Sequence, residues 1–217
     1  MLRTLQFAAR SRGSANSCYL SSLDFSSSSS LPQCKSDSDD QVVRSTRNWL
    51  VNIVLNLNLC PFSGSVIANT SRLNIRVLSP SCKEADIANE ARILISASNV
   101  GMTSLLCLPH LKDDFSGFLD LVDSVQEVFD RDGLSDDIQI ATFHPLYEFA
   151  DSSGPDDVTN YTNRSPYPIV HLLLEREVGR ALENYKGSPD KIWKNNKLLM
   201  LTLGSEQLAK MLEDTKS

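Results

Sequence analysis

No apolar run in this sequence approaches the roughly 18 residues a membrane-crossing helix requires, so a soluble chain is expected. There is no GxGxxG, no phosphate-binding GxxxxGK[ST] and no HExxH. Dinucleotide binding by a glycine-rich turn, ATP binding by a P-loop and zincin chemistry therefore lose their usual carriers. Histidine is scarce, three in 217 residues, and no two of the five cysteines form a CxxC. Cys18, Cys34, Cys60, Cys82 and Cys107 have no regular spacing, which argues for a reducing compartment and against a disulfide framework. Outside the secretory route, the formal glycosylation sequons at Asn69, Asn160 and Asn163 carry no meaning. Basic stripes are absent too. The net charge is −6, and phosphate neutralisation needs clustered Lys and Arg, so neither nucleic acid nor an anionic membrane is an expected partner.

The charge is unevenly spread. Up to Ser36 the chain carries Arg3, Arg10, Arg12 and Lys35 against Asp24 alone, net +3, which leaves −9 for the remainder. The opening stretch is rich in serine, with Ser26 to Ser30 a homopolymer, and has no acid before Asp24. That composition fits an organelle transit peptide over residues 1–40. Leu2, Leu5, Phe7 and Ala9 between Arg3 and Arg10 suit a cationic amphipathic helix and a mitochondrial destination, while the serine tract points to the plastid alternative. Phe7-Ala8-Ala9 is too short for the apolar segment of a secretory signal. Residues 41–217 are then a single domain, with 41% apolar residues over the whole chain to fill a core.

Val42, Val43, Trp49, Leu50, Ile53, Val54 and Leu57 fall on one helical stripe, which Asp39 or Asp40 can cap and Pro61 must end. Leu73 to Leu78 alternates as a half-buried strand. Ser81 and Glu84 have capping-box spacing and open a helix to about Ala97. Thr103 to Leu108 is a continuous apolar strand. Leu111, Phe115, Phe118, Leu119, Val122, Val125 and Phe129 form the cleanest helical stripe, closed by Gly133, and Ile138, Ile140 and Phe143 make a third strand. Strand, helix, strand, helix, strand predicts an α/β fold with a small, mostly parallel three-stranded core sheet and packed helices. A helix is expected from Pro168, with Val170, Leu174, Val178, Ala181, Leu182 and Tyr185 on one face. Further helices start at Ser188-Pro189 and Ser205. Trp49 and Trp193 lie on helical stripes and read as core.

His144 to Tyr167 breaks these patterns. It holds Pro145, Gly154, Pro155 and Pro166, carries Tyr147, Tyr161 and Tyr167, and shows no sustained period. Long irregular loops in compact domains are usually functional or disordered, and aromatic content argues against disorder. This loop also leaves a strand end, where α/β sheets hold ligands. Within it Arg164, flanked by Asn160, Asn163 and Ser165 and near Tyr161, offers a fork of donors suited to carboxylate or phosphate. The plain alternative is an ion pair with Asp156 or Asp157. His144 and His171 bracket the loop as candidate acid–base groups. Cys60 at a helix C-terminus completes the candidate catalytic set, although the helix dipole there disfavours a thiolate. No pair among Cys60, His144, His171 and Asp156 has metal-ligand spacing.

Asn58-Leu59-Cys60-Pro61-Phe62, Thr142-Phe143-His144-Pro145-Leu146-Tyr147-Glu148-Phe149-Ala150, and Asn160-Tyr161-Thr162-Asn163-Arg164-Ser165-Pro166-Tyr167-Pro168 with His171-Leu172-Leu173 resemble the domain-of-unknown-function family numbered 1415, from about Arg44 to Leu203. Where that family tends to end its second strand in His-Pro, this chain has Pro109-His110, which leaves His110 without an implied role. The resemblance implies membership and no reaction. The leading expectation is an organellar enzyme acting on a small anionic metabolite, which Arg164 and Asn163 orient and His144 serves as acid–base group. The alternative is a non-catalytic binding or assembly module using the same loop, and metal binding is a third, weaker one. No cofactor is named by any motif. A single site requires Cys60, His144 and Arg164 to converge on one cavity.

Overall fold

The computed structural model describes residues 37–69, 71–97 and 102–217. Nearly all of the expected leader, with Cys18 and Cys34, lies outside the described residues. None of the described helices is long and apolar enough to cross a membrane.

The first helix, α1 (Asp39–Trp49), is capped by Ser38, whose Oγ accepts the Gln41 N–H at 3.3 Å. Asp39 and Asp40, expected as caps, occupy its first turn instead, where carboxylates complement the exposed N–H groups. The helix runs on as a π-helical stretch, Leu50–Leu55, and the expected stripe is buried at Val42, Trp49, Leu50 and Ile53. It ends in a Schellman turn. Asn58 takes φ 52°, and the N–H groups of Asn58 and Leu59 return to the carbonyls of Leu55 and Val54, each at 2.9 Å. The left-handed position tolerates Asn better than most residues, and a proline after the cap stops the helix for good.

After the short α2 (Ser63–Ile67) come β1 (Leu73–Val77), α3 (Glu84–Ser96), β2 (Thr103–Cys107), α4 (Phe115–Arg131) and β3 (Ile138–Phe143). The expected Ser81–Glu84 capping box does not form. The helix starts two residues later, and Asp86 accepts the Lys83 N–H at 2.9 Å. Helix α4 buries Phe118, Val125, Val128 and Phe129, with Asp114 capping its start and Gly133 following its end at φ 71°. The remaining elements are β4 (Ile169–Leu174), α5 (Glu175–Glu183), α6 (Asp190–Leu203) and α7 (Ser205–Asp214).

The sheet corrects the three-stranded, mostly parallel expectation. It has four strands in the order β1-β2-β4-β3. Only β1 and β2 pair in parallel; β4 runs antiparallel to both β2 and β3. Ile169–Leu174 is therefore a strand where a helix was expected. A six-residue apolar run fits either period, and pairing decides it. The β2–α4–β3 crossover holds two parallel strands one strand-width apart, and only an antiparallel strand returning from β3 fills the gap.

Each face of the sheet carries its own core. On one, α3 and α4 pack against Leu106, Ile138, Ile140, Val170, Leu172 and Leu174. On the other, α1 with its π-helical extension, α6 and α7 pack against Leu73, Leu105, Cys107 and Ile169. Trp49 is buried in this second core, as expected, whereas Trp193 is only half-buried.

Candidate functional site

The connection from β3 to β4, residues 144–168, is ordered by its own polar side chains around a 3₁₀ turn at Val158–Thr162. Asn160 is fully buried. Its Oδ1 accepts the Phe149 N–H at 3.1 Å and its Nδ2 donates to the Gly154 carbonyl at 2.9 Å. Asp157 accepts from the backbone and hydroxyl groups of both Ser153 and Thr159, and these bonds hold its carboxyl well below the usual range. The Nδ2 of Asn163 donates to the Thr142 carbonyl at 3.0 Å, and its own carbonyl accepts the His144 N–H at 3.2 Å. The Ser165 hydroxyl donates to the Tyr167 carbonyl. Asn160, Asn163 and Ser165, three of the expected ligand-binding residues, thus spend their side chains on the loop itself or on the end of β3.

The two bracketing histidines differ. His144 is fully buried. Its Nε2 donates to the Leu111 carbonyl and its Nδ1 accepts the Leu146 N–H, both at 3.0 Å. The ring lies 4.9 Å from Phe115 and 5.2 Å from Phe118. Burial lowers its pKa, so the neutral form with both nitrogens engaged is the stable one, which is the arrangement of a structural histidine. His171 is on β4, not in a helix, opposite Leu105 and Ala141 in register. Its Nε2 meets Thr103 Oγ1 at 2.6 Å, and burial pushes its pKa down to about 4.

Arg164 does not pair with Asp156 or Asp157; among the described residues its guanidinium makes no ion pair. Its Nη2 donates to the Pro155 carbonyl at 2.6 Å, and its Cζ lies 4.4 Å from the centre of the Tyr161 ring. Its Nε is the one buried side-chain nitrogen or oxygen among the described residues with no hydrogen-bond partner. A buried donor left unpaired costs about 1–3 kcal/mol. The backbone below is fixed from the second core, since Trp49 Nε1 donates to the Arg164 carbonyl at 3.1 Å. Trp49 in turn stands edge-on to Phe143 at 5.1 Å.

Cys60 follows the Schellman turn. Its carbonyl accepts the Ser63 N–H and hydroxyl, burial raises the pKa of its thiol, and the neighbouring Leu59 carbonyl is tied to Asn196 of α6 at 2.8 Å. His144 packs against Phe115 and Phe118 on the α4 face, while Arg164 is tied to Trp49 of α1 and Leu59 lies in the core on the opposite face, so His144 and Arg164 are anchored from different sides of the sheet. Among the described residues no group of three His, Cys, Asp or Glu could hold a metal. Thr103 and Trp49, which set His171 and Arg164, carry no sequence signal beyond apolar patterning. A hydroxyl at the start of an apolar strand was the only available hint.

The model of the family described as "Protein of unknown function (DUF1415)" matches residues 41–210. The chain belongs to that family. No curated protein matches it and no solved structure does. Within the matched residues, Asn58-Leu59-Cys60-Pro61 coincides with the helix-ending turn, and most of Asn160 to Pro168 with the loop's internal bonding.

Proposed function

We propose that this protein binds a small anionic molecule at Arg164 of the 144–168 loop. The observation that carries the reading is the state of the guanidinium: stacked on Tyr161, held by one carbonyl, without a carboxylate partner, and with a buried Nε lacking any acceptor. A cation in a chain of net charge −6 that keeps no acid of its own is suited to an acid supplied from outside. Charge-assisted bonds to a planar fork are among the stronger polar contacts. The rigid loop beneath fixes the group before the ligand arrives, which lowers the ordering cost of binding.

The binding-module reading is better supported than the catalytic one. The expected acid–base group, His144, has both ring nitrogens bonded to backbone and lies on the opposite face from Arg164's tie to Trp49. Titration calorimetry with inorganic phosphate and with malonate tests the proposal. Arg164→Lys keeps the charge and loses the fork. It is expected to weaken anion binding about tenfold, or ~1.4 kcal/mol, while thermal unfolding moves by no more than a few degrees. Equal affinity in both proteins, or a large drop in melting temperature with no binding to the wild type, makes Arg164 a structural pin.

A further inference from the structure

We propose a second binding site at His171, where Nδ1 accepts a hydrogen bond from a hydroxyl or N–H group carried on an apolar or aromatic ligand. The Thr103 hydroxyl donates to the Leu172 carbonyl at 2.9 Å. Its one proton thus committed, it accepts from His171 Nε2 at 2.6 Å. The ring is held in the Nε2–H form, and Nδ1 is left with a lone pair. Among the described residues Nδ1 has no hydrogen-bond partner, and it is not sealed from solvent either, since Arg164 Nε is the one buried atom in that condition. His171 is partly exposed.

Alternation along paired strands puts Gln139, Ala141 and Phe143 of β3 and Leu173 of β4 on the same side of the sheet as His171. All four are half-buried, and the Phe143 ring centre is 6.4 Å from that of His171. Helix α1 covers the β1 and β2 side of this face together with Phe143. Among the described residues, Ala141, Phe143, Leu173 and Gln139 form a largely apolar strip along β3 and β4 beside the fixed His171 acceptor. The imidazole is neutral down to about pH 4, so it offers a lone pair and no charge. A carboxylate brings no proton to that lone pair; a phenol, alcohol or ring N–H does, and its apolar body covers the strip.

This site stands apart from anion binding at Arg164 and is tested separately. The probe is phenol, added to full-length protein carrying ¹⁵N-histidine and followed by long-range proton–nitrogen NMR. His144 serves as an internal reference, because its Nδ1 is already bonded to the Leu146 N–H. The expected result is an Nε2–H tautomer for His171, and an Nδ1 resonance that shifts saturably with phenol while that of His144 stays put. Malonate, which has no O–H at neutral pH, leaves both unmoved. In Thr103→Val the tautomer is released, and the apparent affinity for phenol falls about twofold or more as the competent form is diluted. A proton on Nδ1 in the free protein overturns the proposal, as does a His171 signal that ignores phenol or moves only in step with His144.

Discussion

At the scale of single residues, hydrogen bonding separates groups the sequence could not rank. His144 and His171 look alike in the sequence, each beside the unusual loop. In the fold one has both nitrogens spent on backbone and the other has one nitrogen open. The lowered pKa of His171 has a thermodynamic consequence. Unfolded, it takes up a proton near pH 6.5; folded, not until about pH 4. Between those values the unfolded chain binds more protons, so stability falls as pH falls through that window, by at most about 3 kcal/mol. Urea unfolding at pH 7.5 and pH 5 is expected to show a smaller difference for His171→Gln than for the wild type. Equal differences in the two proteins would contradict the neutral state of His171. Arg164 was legible as a donor fork, but its missing partner was not, because Asp156 and Asp157 stand close by in sequence. Asp157 turned out to bind Ser153 and Thr159.

At the scale of elements, helices with long stripes and three of the four strands were legible, and the fourth strand was not. Helices α1 and α4 repeat their apolar residues over several turns, so their buried faces follow from spacing alone. The six residues of β4 do not, and their state is set by the gap between β2 and β3, a tertiary fact. The end of the first helix is another case, since Pro61 announces a stop but not its geometry. The left-handed residue is Asn58. Asn58→Ala is expected to cost about 1 kcal/mol of stability, and Asn58→Gly nothing or slightly less than nothing. Chemical denaturation of the two variants checks this; an alanine variant as stable as the glycine one would mean the turn is not strained.

At the scale of the whole molecule, the boundary of the folded unit is set by contacts rather than composition. Tyr167 at the end of the loop donates its hydroxyl to Asp37 at 2.9 Å. Burial, and then the Asp37 charge, push its pKa up to about 12. Ser38 caps α1. A chain starting at Asp37 therefore keeps both ties, and one starting at Gln41 loses them, with an expected cost of about 1–2 kcal/mol. Thermal unfolding of the two truncated chains decides whether the domain starts at Asp37 or at residue 41. We propose that residues 1–36 direct the chain to mitochondria, with plastids the alternative, and that processing occurs at or before Asp37. N-terminal sequencing of the organellar protein tests this, and a start beyond Ser38 would refute it.

Arg164 is the proposed seat of the anion, and its Nε–H proton reports on binding there. In a proton–nitrogen spectrum of the arginine side chains, assigned with Arg164→Lys, the account predicts that inorganic phosphate or malonate shifts the Arg164 Nε–H resonance saturably. The signals of Arg76 and Arg92, which pair with Glu90 and Asp132, should stay in place. An Arg164 signal that holds its position while either anion binds elsewhere, or while neither binds at all, would contradict the account.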